Sequence, residues 1–457
     1  MNKGDYRQDE LSRASNSAGP QESVDKIIKA YSRFVPSEVI GLMGKDTITG
    51  VDLGDNIEMT MTILFSDIRD FTSLSEGMTP RENFAFINSY LERMEPAISR
   101  AGGIIDKYIG DAVMALFPTN ADDALNGAIG MLNQLIIYNN DRKKSSYLPI
   151  QIGIGLNTGL MMLGIIGGRH HMESTVISDA VNLASRIESM TKNYKTPLLM
   201  SEHTYYGLKD ASHNDIRFID RVKVRGKEQC QSVYEVFDAD PPSLREAKRS
   251  TKGLFEEALA HYHLKKAPEA MNLLSECLRQ APDDTAAQVY RDRCERFLAT
   301  GVHESSGEVD LVIPWDVSLE IGDPMIDAQH RGLFEHVNGF VEAIGKSQDY
   351  AQLHTVIEFL DDYVARHFAT EERCMAENSY PFLQLQIDQH RRFSRYFEAF
   401  KDEIRNDLNE HRVFLLFRAQ ILVMDWLVNH TSKLDRHFGK FLDQTEGAGP
   451  CTTTWRI

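Results

Sequence analysis

Asp67 comes at the end of the β-rich run MTMTILFSDI and just ahead of a helix-opening stretch, IRDFTSLSE, while Asp111 sits at the tip of KYIGDAVMALF, two apolar runs around a tight Gly110–Asp111 turn. Two carboxylates at turns, one beside the free N–H groups of a helix start, suit Mg²⁺ bound together with nucleotide phosphates. Magnesium takes hard oxygen ligands from one or two carboxylates and completes its shell on the substrate. A pair of such ions could serve an in-line displacement. Aspartates are also ordinary turn formers, so the residues alone leave both readings open. Farther along, Asn182 and Arg186 are spaced i, i+4 in SDAVNLASRIE, which places an amide and a planar donor fork on one helical face.

The other end of the chain carries a different chemistry. His330 lies in IDAQHRGLF, His367 and Glu371 in YVARHFATEERCM, His390 in LQLQIDQHRRF, and His430 and Asp435 in DWLVNHTSKLDRHF. More than half of the 15 histidines fall in this helix-patterned region. A single helical histidine is usually a surface residue, but histidine and carboxylate side chains offered by four helices are how a bundle core builds a di-iron site, with the two carboxylates as bridges.

The elements that must position these residues can be read from pattern. At 457 residues the chain has room for about three domains. Hydrophobic residues make up 42% and charged residues 26%, a globular composition. The net charge of -17 argues against a nucleic-acid partner, whose footprint is basic. Five cysteines without CxxC spacing read as reduced thiols and not as a disulfide framework. The N-terminus has no apolar signal core, no run is long enough for a transmembrane segment, and no C-terminal lipidation box is present, so the expected location is cytoplasmic.

Residues 1–24 read as a polar tail and 25–54 as a lead-in with an amphipathic helix interrupted at Pro36. Residues 55–240 alternate strand and helix signals in an α/β layered pattern. Pro241-Pro242 marks a boundary, after which 243–300 reads as all-helical, with helices paired about a Pro-Asp turn like one tetratricopeptide (TPR-like) unit. Residues 301–310 form a polar linker, and 311–445 are helical again.

The motifs FSDIRDFTSLSE, DKYIGDAVMALFP and SDAVNLASRIE, in this order, with the lead-in RFVPSEVIGLMG, resemble the class III nucleotidyl cyclases over about residues 30–238. The resemblance implies a ferredoxin-like α/β domain that pairs head to tail, most simply as a homodimer, with active sites across the interface. It implies that Asp67 and Asp111, with the Ile68 carbonyl, hold two Mg²⁺ (or Mn²⁺), that Lys107 reads the base, that Asn182 orients the ribose and Arg186 stabilises the phosphorus, and that Lys227 in VRGKEQ binds phosphate. The lysine is paired here with Thr175. Lysine can donate to adenine N1 and threonine can accept from the exocyclic amine, which favours ATP, and hence 3′,5′-cyclic AMP and pyrophosphate as products.

PWDVSLEIGDPMIDAQH and HFATEE make residues 311–445 resemble the hemerythrins, four-helix bundles with a non-haem di-iron centre that binds O₂. The resemblance implies His330 and His367 on one iron, His390 and His430 on the other, and Glu371 and Asp435 as bridges. One position departs: Gln386 stands where the family has a further histidine, and an amide oxygen is the poorer iron ligand. The combined expectation is an adenylyl cyclase regulated by an O₂, redox or iron sensor, the sign of regulation being open. Its rivals are a guanylyl cyclase of the same architecture and a non-catalytic O₂- or iron-binding protein that uses the cyclase domain to dimerise.

Overall fold

A computed structural model describes residues 37–168, 171–223, 230–304, 315–346, 351–406, 413–415, 417–419, 421, 426 and 430–444. The tail at 1–24, most of the lead-in helix, Lys227 and much of the 301–310 linker lie outside the described residues.

A short helix α1 (Ser37–Leu42) follows Pro36, and the first strand is β1 (Asn56–Ile68). Side chains alternate along a strand, and here both faces are covered. Thr62, Leu64, Ser66 and Ile68 face one layer, Met61 and Ile63 the other, and all six are buried. The hairpin β2 (Ile104–Ile109) and β3 (Ala112–Phe117) turns at Gly110, whose φ of 66° only glycine adopts without strain. The other strands are β4 (Ile152–Gly168), β5 (His171–Ile177), β6 (Leu198–Ser201), β7 (Ile216–Lys223) and β8 (Cys230–Val236). Their order is β2-β3-β1-β4-β6-β8-β7, with β5 paired to the outer half of β4. The β4–β6 pair is parallel and the other pairs are antiparallel.

The helices of this layer are α2 (Phe71–Glu76), α3 (Pro80–Arg100), α4 (Ala121–Lys144), α5 (Asp179–Tyr194) and α6 (Glu202–Tyr205). Glycines inside a strand can interrupt it, yet β4 runs unbroken through several of them to Gly168. Glycines in β4 serve close approach instead. A Cβ on Gly155 would stand 2.2 Å from the Glu188 backbone nitrogen, and one on Gly153 would stand 2.3 Å from Thr191 Oγ1. Helix α5 can therefore lie directly on β4, and this fixes the helix that carries Asn182 and Arg186.

Residues 243–300 form α7 (Pro242–His263), α8 (Ala267–Gln280) and α9 (Thr285–Thr300). They share one hydrophobic core with the sheet. The join is also ionic. Fully buried Arg217 of β7 makes a bidentate pair with Asp284, the N-cap of α9, at 2.6 and 2.7 Å, and bonds Glu235 of β8 at 2.5 Å. Lys248 of α7 bonds the same Glu235 at 2.8 Å. Each charge in this dry cluster has a partner of opposite sign, and removing one would strand the others. Even the start of the linker is held, since Glu304 pairs with Arg296 at 2.6 Å and His303 stacks on Tyr262.

The C-terminal region contains α10 (Pro324–Lys346), α11 (Ala351–Glu377), α12 (Leu383–Asn406), a further helical run within 413–421, a π-helical turn at His430–Asp435 and α13 (Arg436–Gln444). It is docked directly on the sheet. Phe414, Phe417 and Ile421 enter the sheet's own core, with Phe417 stacked on His263 and edge-on to Phe218. Glu257 of α7 accepts from the backbone N–H groups of Val413 and Phe414 at 3.2 and 2.7 Å, which ties that run directly to α7. Arg418 donates to the Tyr205 hydroxyl at 3.0 Å. Cys277 and Cys294 are free and buried, but Cys374 is disulfide-bonded. That corrects the reading of all thiols as reduced, because sequence spacing does not reveal which distant cysteines a fold brings together. Among the described residues no helix is long and apolar enough to cross a membrane.

Candidate active site and metal centre

Asp67 near the end of β1 and Asp111 in the β2–β3 turn meet at one end of the sheet. Asp111 accepts from the Ile68 backbone N–H at 3.2 Å. Burial, and then the adjoining Asp67 carboxyl, push Asp111 up to about 7. Two carboxyls that cannot both ionise comfortably form a place where a divalent cation replaces a shared proton, so the residues present fit the hard cation expected. Lys192 on α5 reaches Asp67 at 3.4 Å.

Lys107 on β2 lies 3.4 Å from the Thr175 hydroxyl on β5, which brings together the two positions expected to read the base. Its shorter contact is one that the sequence reading missed, Glu173 at 2.7 Å. Strand alternation was the available signal, since Glu173 and Thr175 are two apart on one strand and face the same way.

Asn182 and Arg186 lie exposed on α5. Arg186 is six residues and Asn182 ten residues before Lys192, which is about 9 and 15 Å along the helix at 1.5 Å per residue. The end of α5 that touches Asp67 is therefore the far end from this pair. A row of exposed apolar side chains completes the picture: Met162 and Ile177, opposed across the β4–β5 ladder, are 38% and 61% exposed, and Ile109 and Met172 are exposed as well.

In the C-terminal helices the structure brings all six expected side chains to one buried point. Glu371 Oε1 is 3.3 Å from His330 Nε2 and 3.4 Å from His367 Nε2. Its Oε2 is 3.2 Å from His390 Nε2 and 3.6 Å from His430 Nε2. Asp435 repeats the division, with Oδ2 3.4 Å from His330 and Oδ1 3.1 Å from His430. Each carboxylate thus offers one oxygen to each half of the cluster. Both Glu371 oxygens, His330 Nε2, His367 Nε2 and Asp435 Oδ2 are buried without a hydrogen-bond partner in the protein. Orphaned donors and acceptors converging on one point are what a metal site looks like from the protein side.

The outer contacts agree. His367 Nδ1 meets Gln329 Oε1 at 2.8 Å and His390 Nδ1 meets Glu372 Oε1 at 2.8 Å, so both rings are held with Nε2 inward. Electrostatics are severe without a cation. Burial drives His367 down to about 3, whereas at His430 the effect of burial is overridden by Asp435 and Glu371, which push it up to about 10. Gln386 fills the departing position, with its amide 3.0 Å from His430 Nε2 and 2.5 Å from Asp435 Oδ1. His430 and Asp435 share this point because the segment between them is a π-helical turn. At 3.6 residues per turn, positions five apart would diverge by about 140°, and the wider i→i+5 turn narrows that divergence.

Residues 56–236 match the family model described as the adenylate and guanylate cyclase catalytic domain, and residues 322–442 match the hemerythrin HHE cation binding domain. Residues 56–236 are thus similar to the cyclase catalytic domain and residues 322–442 to the hemerythrin domain, each match covering less than half of the chain. It is 44% identical over 229 residues to an adenylate cyclase of Anabaena cylindrica, covering 48% of this chain and 46% of the relative. It is 34% identical over 292 residues to the terminal-differentiation-specific adenylate cyclase of Dictyostelium discoideum, covering 63% and 14%. The chain thus spans less than half the length of these relatives. The solved structure of the guanylyl cyclase Cya2 is 32% identical, covering 41% of this chain and 96% of that one, with a TM-score of 0.36.

Proposed function

We propose that the chain is a cytoplasmic adenylate cyclase that converts ATP to 3′,5′-cyclic AMP and pyrophosphate in a homodimer, under the control of a di-iron four-helix bundle. The observation that carries the catalytic half is the meeting of Asp67 and Asp111 at the sheet's end, with Lys107 and Thr175 assembled as a base-reading pair. Two Mg²⁺ or Mn²⁺ held by Asp67, the Ile68 carbonyl and Asp111 would supply charge neutralisation at the reacting phosphates. The chain's own groups do the positioning. Lys107 donates to adenine N1, Thr175 accepts from the exocyclic amine, Asn182 aligns the ribose, and Arg186 takes up charge that develops on the α-phosphoryl group. Lys227 adds a phosphate contact. The exposed strand surface and the separation of Asn182 and Arg186 from the Asp67 end of their own chain support sites completed by a partner copy.

For the C-terminal domain, the two-way division of Glu371 and Asp435 between the histidine pairs supports two iron positions. His330 and His367 would hold one, and His390 and His430 the other, with Gln386 in place of a stronger ligand. The ligand sensed is O₂, a redox signal or iron itself. Cyclic nucleotide formation by the purified chain with Mn²⁺ or Mg²⁺, with ATP and GTP assayed separately, tests the catalytic reading. Cyclic AMP is the expected product, and a clear preference for GTP, or no turnover, would refute it.

A further inference from the structure

A cavity of about 460 Å³ lies between the cyclase domain and the C-terminal helices. Leu385, Phe393 and Trp426 line one wall, and Leu160, Leu183 and Tyr206 line the other. Volume, aromatic lining and position between domains are those of a small-molecule site. It is not the nucleotide site. Thr60 lines it, and Thr60 points from β1 to the face opposite that of Asp67, seven residues on. Among the described residues no lysine or arginine lines the cavity, so a phosphate-bearing ligand would meet only the imidazoles of His203 and His430 there, beside two carboxylates. The polar groups it presents include the carboxylates Asp179 and Glu202 and the amide Gln231.

The two ends of the cavity touch the two sites already described. On one side is His430 of the metal cluster, with Trp426 stacked on it at a ring separation of 4.4 Å. On the other is Ser178, the N-cap of α5. Its hydroxyl donates to the Leu160 carbonyl at 2.8 Å and accepts from the Ala180 N–H at 3.1 Å, which ties the start of α5 to β4. The first two turns of that helix carry Asn182 and Arg186. A molecule seated here would press on the tether that sets their position.

We propose that this cavity is a ligand-binding site for an uncharged or weakly basic, planar, mainly apolar molecule with a hydrogen-bond donor, and that its occupancy sets the position of α5. The site stands on the cavity alone, and only its effect on rate rests on the cyclase reading above. N-phenyl-1-naphthylamine, uncharged and planar and bearing one N–H, is the probe, titrated into the iron-loaded full chain. Saturable fluorescence at one dye per chain is expected, with energy transfer from tryptophan that falls away in Trp426→Phe. Leu385→Trp and Gln389→Trp fill the space from α12, and each should abolish the signal while iron content stays at the wild-type value. No saturable binding, or undiminished binding in the filled variant that retains its iron, would overturn the site. Dye at saturation should also change cyclic AMP formation in the wild type and not in the filled variants. An unchanged wild-type rate with dye bound would overturn the regulatory half alone, and absence of turnover under all conditions would count against the cyclase reading and leave the binding result standing.

Discussion

Asp67 and Asp111 stand at an accessible sheet end, with Asn182 and Arg186 exposed on a helix whose near end belongs to Lys192, whereas His330, His367, Glu371, His390, His430 and Asp435 close on one another inside a single chain and are buried. On the proposed reading the first constellation is a half-site that substrate and a second copy would complete, and the second would hold its cations within one chain. A half-site can be governed by whatever sets how its halves meet, and a closed site can report its state only through the elements that carry its ligands. Those elements are in contact here. The helical run at 413–421, which leads to Trp426, His430 and Asp435, is seated in the cyclase core.

The largest effect should come from breaking the half-site. Asp67→Ala or Asp111→Ala should lower cyclic AMP formation about 10³-fold or more, since a metal's charge stabilisation is worth several kcal/mol and no neighbouring ligand replaces it. Circular dichroism and sedimentation should still report a folded dimer. Activity near the wild-type value would remove these residues from catalysis.

Whether the site is shared can be sharpened by mixing. Equal amounts of inactive Asp67→Ala and Arg186→Ala chains should recover roughly a quarter of wild-type activity, because half the dimers are mixed and each has one intact site. No recovery with mixed dimers demonstrated would place the whole site in one chain.

The closed site should respond in metal content. His367→Ala should reduce iron per chain, and Gln386→His should raise iron retention against a chelator by about 10-fold or more, as a stronger ligand replaces an amide. Retention unchanged by Gln386→His would mean that Gln386 does not face the metal. The smallest effect should come from Glu173→Gln, which loosens Lys107 from its exposed carboxylate partner and should move KM for ATP by only a few-fold, since exposed ion pairs are worth about 1 kcal/mol or less.

How much of this was legible in the sequence differs between the two regions for physical reasons. The six C-terminal residues were singled out by helical spacing and residue type together with the hemerythrin resemblance, whereas Asp67 and Asp111 at their two turns stayed open on the residues alone and took a metal role only through the cyclase motifs around them. Glu173 escaped because alternation puts it on the face of Thr175 but does not say which of the two a lysine on another strand will approach more closely. The π-helical turn escaped because LVNHTSKLD reads as regular helix, and only the need to bring His430 and Asp435 to one point explains the extra residue. The docking of residues 243–300 and 413–421 escaped for a more general reason. Periodicity shows which face of a helix is buried but not what buries it, and the partners of Arg217 and Glu257 lie 67 and more than 150 residues away.

The central claim, that the metal site governs the cyclase through this direct contact, is tested most directly by one preparation assayed twice for cyclic AMP formation, first reduced under nitrogen and then oxidised, with iron measured in both states. The rates should differ several-fold, within the roughly 5–150-fold range of a coupling of about 1–3 kcal/mol. The difference should collapse toward unity in Phe417→Ala and Glu257→Ala, which loosen the contact while leaving all six metal ligands in place. Equal wild-type rates in the two states, with iron retained in both, would contradict the claim and leave the C-terminal helices as an iron or oxygen binder that does not regulate its neighbour.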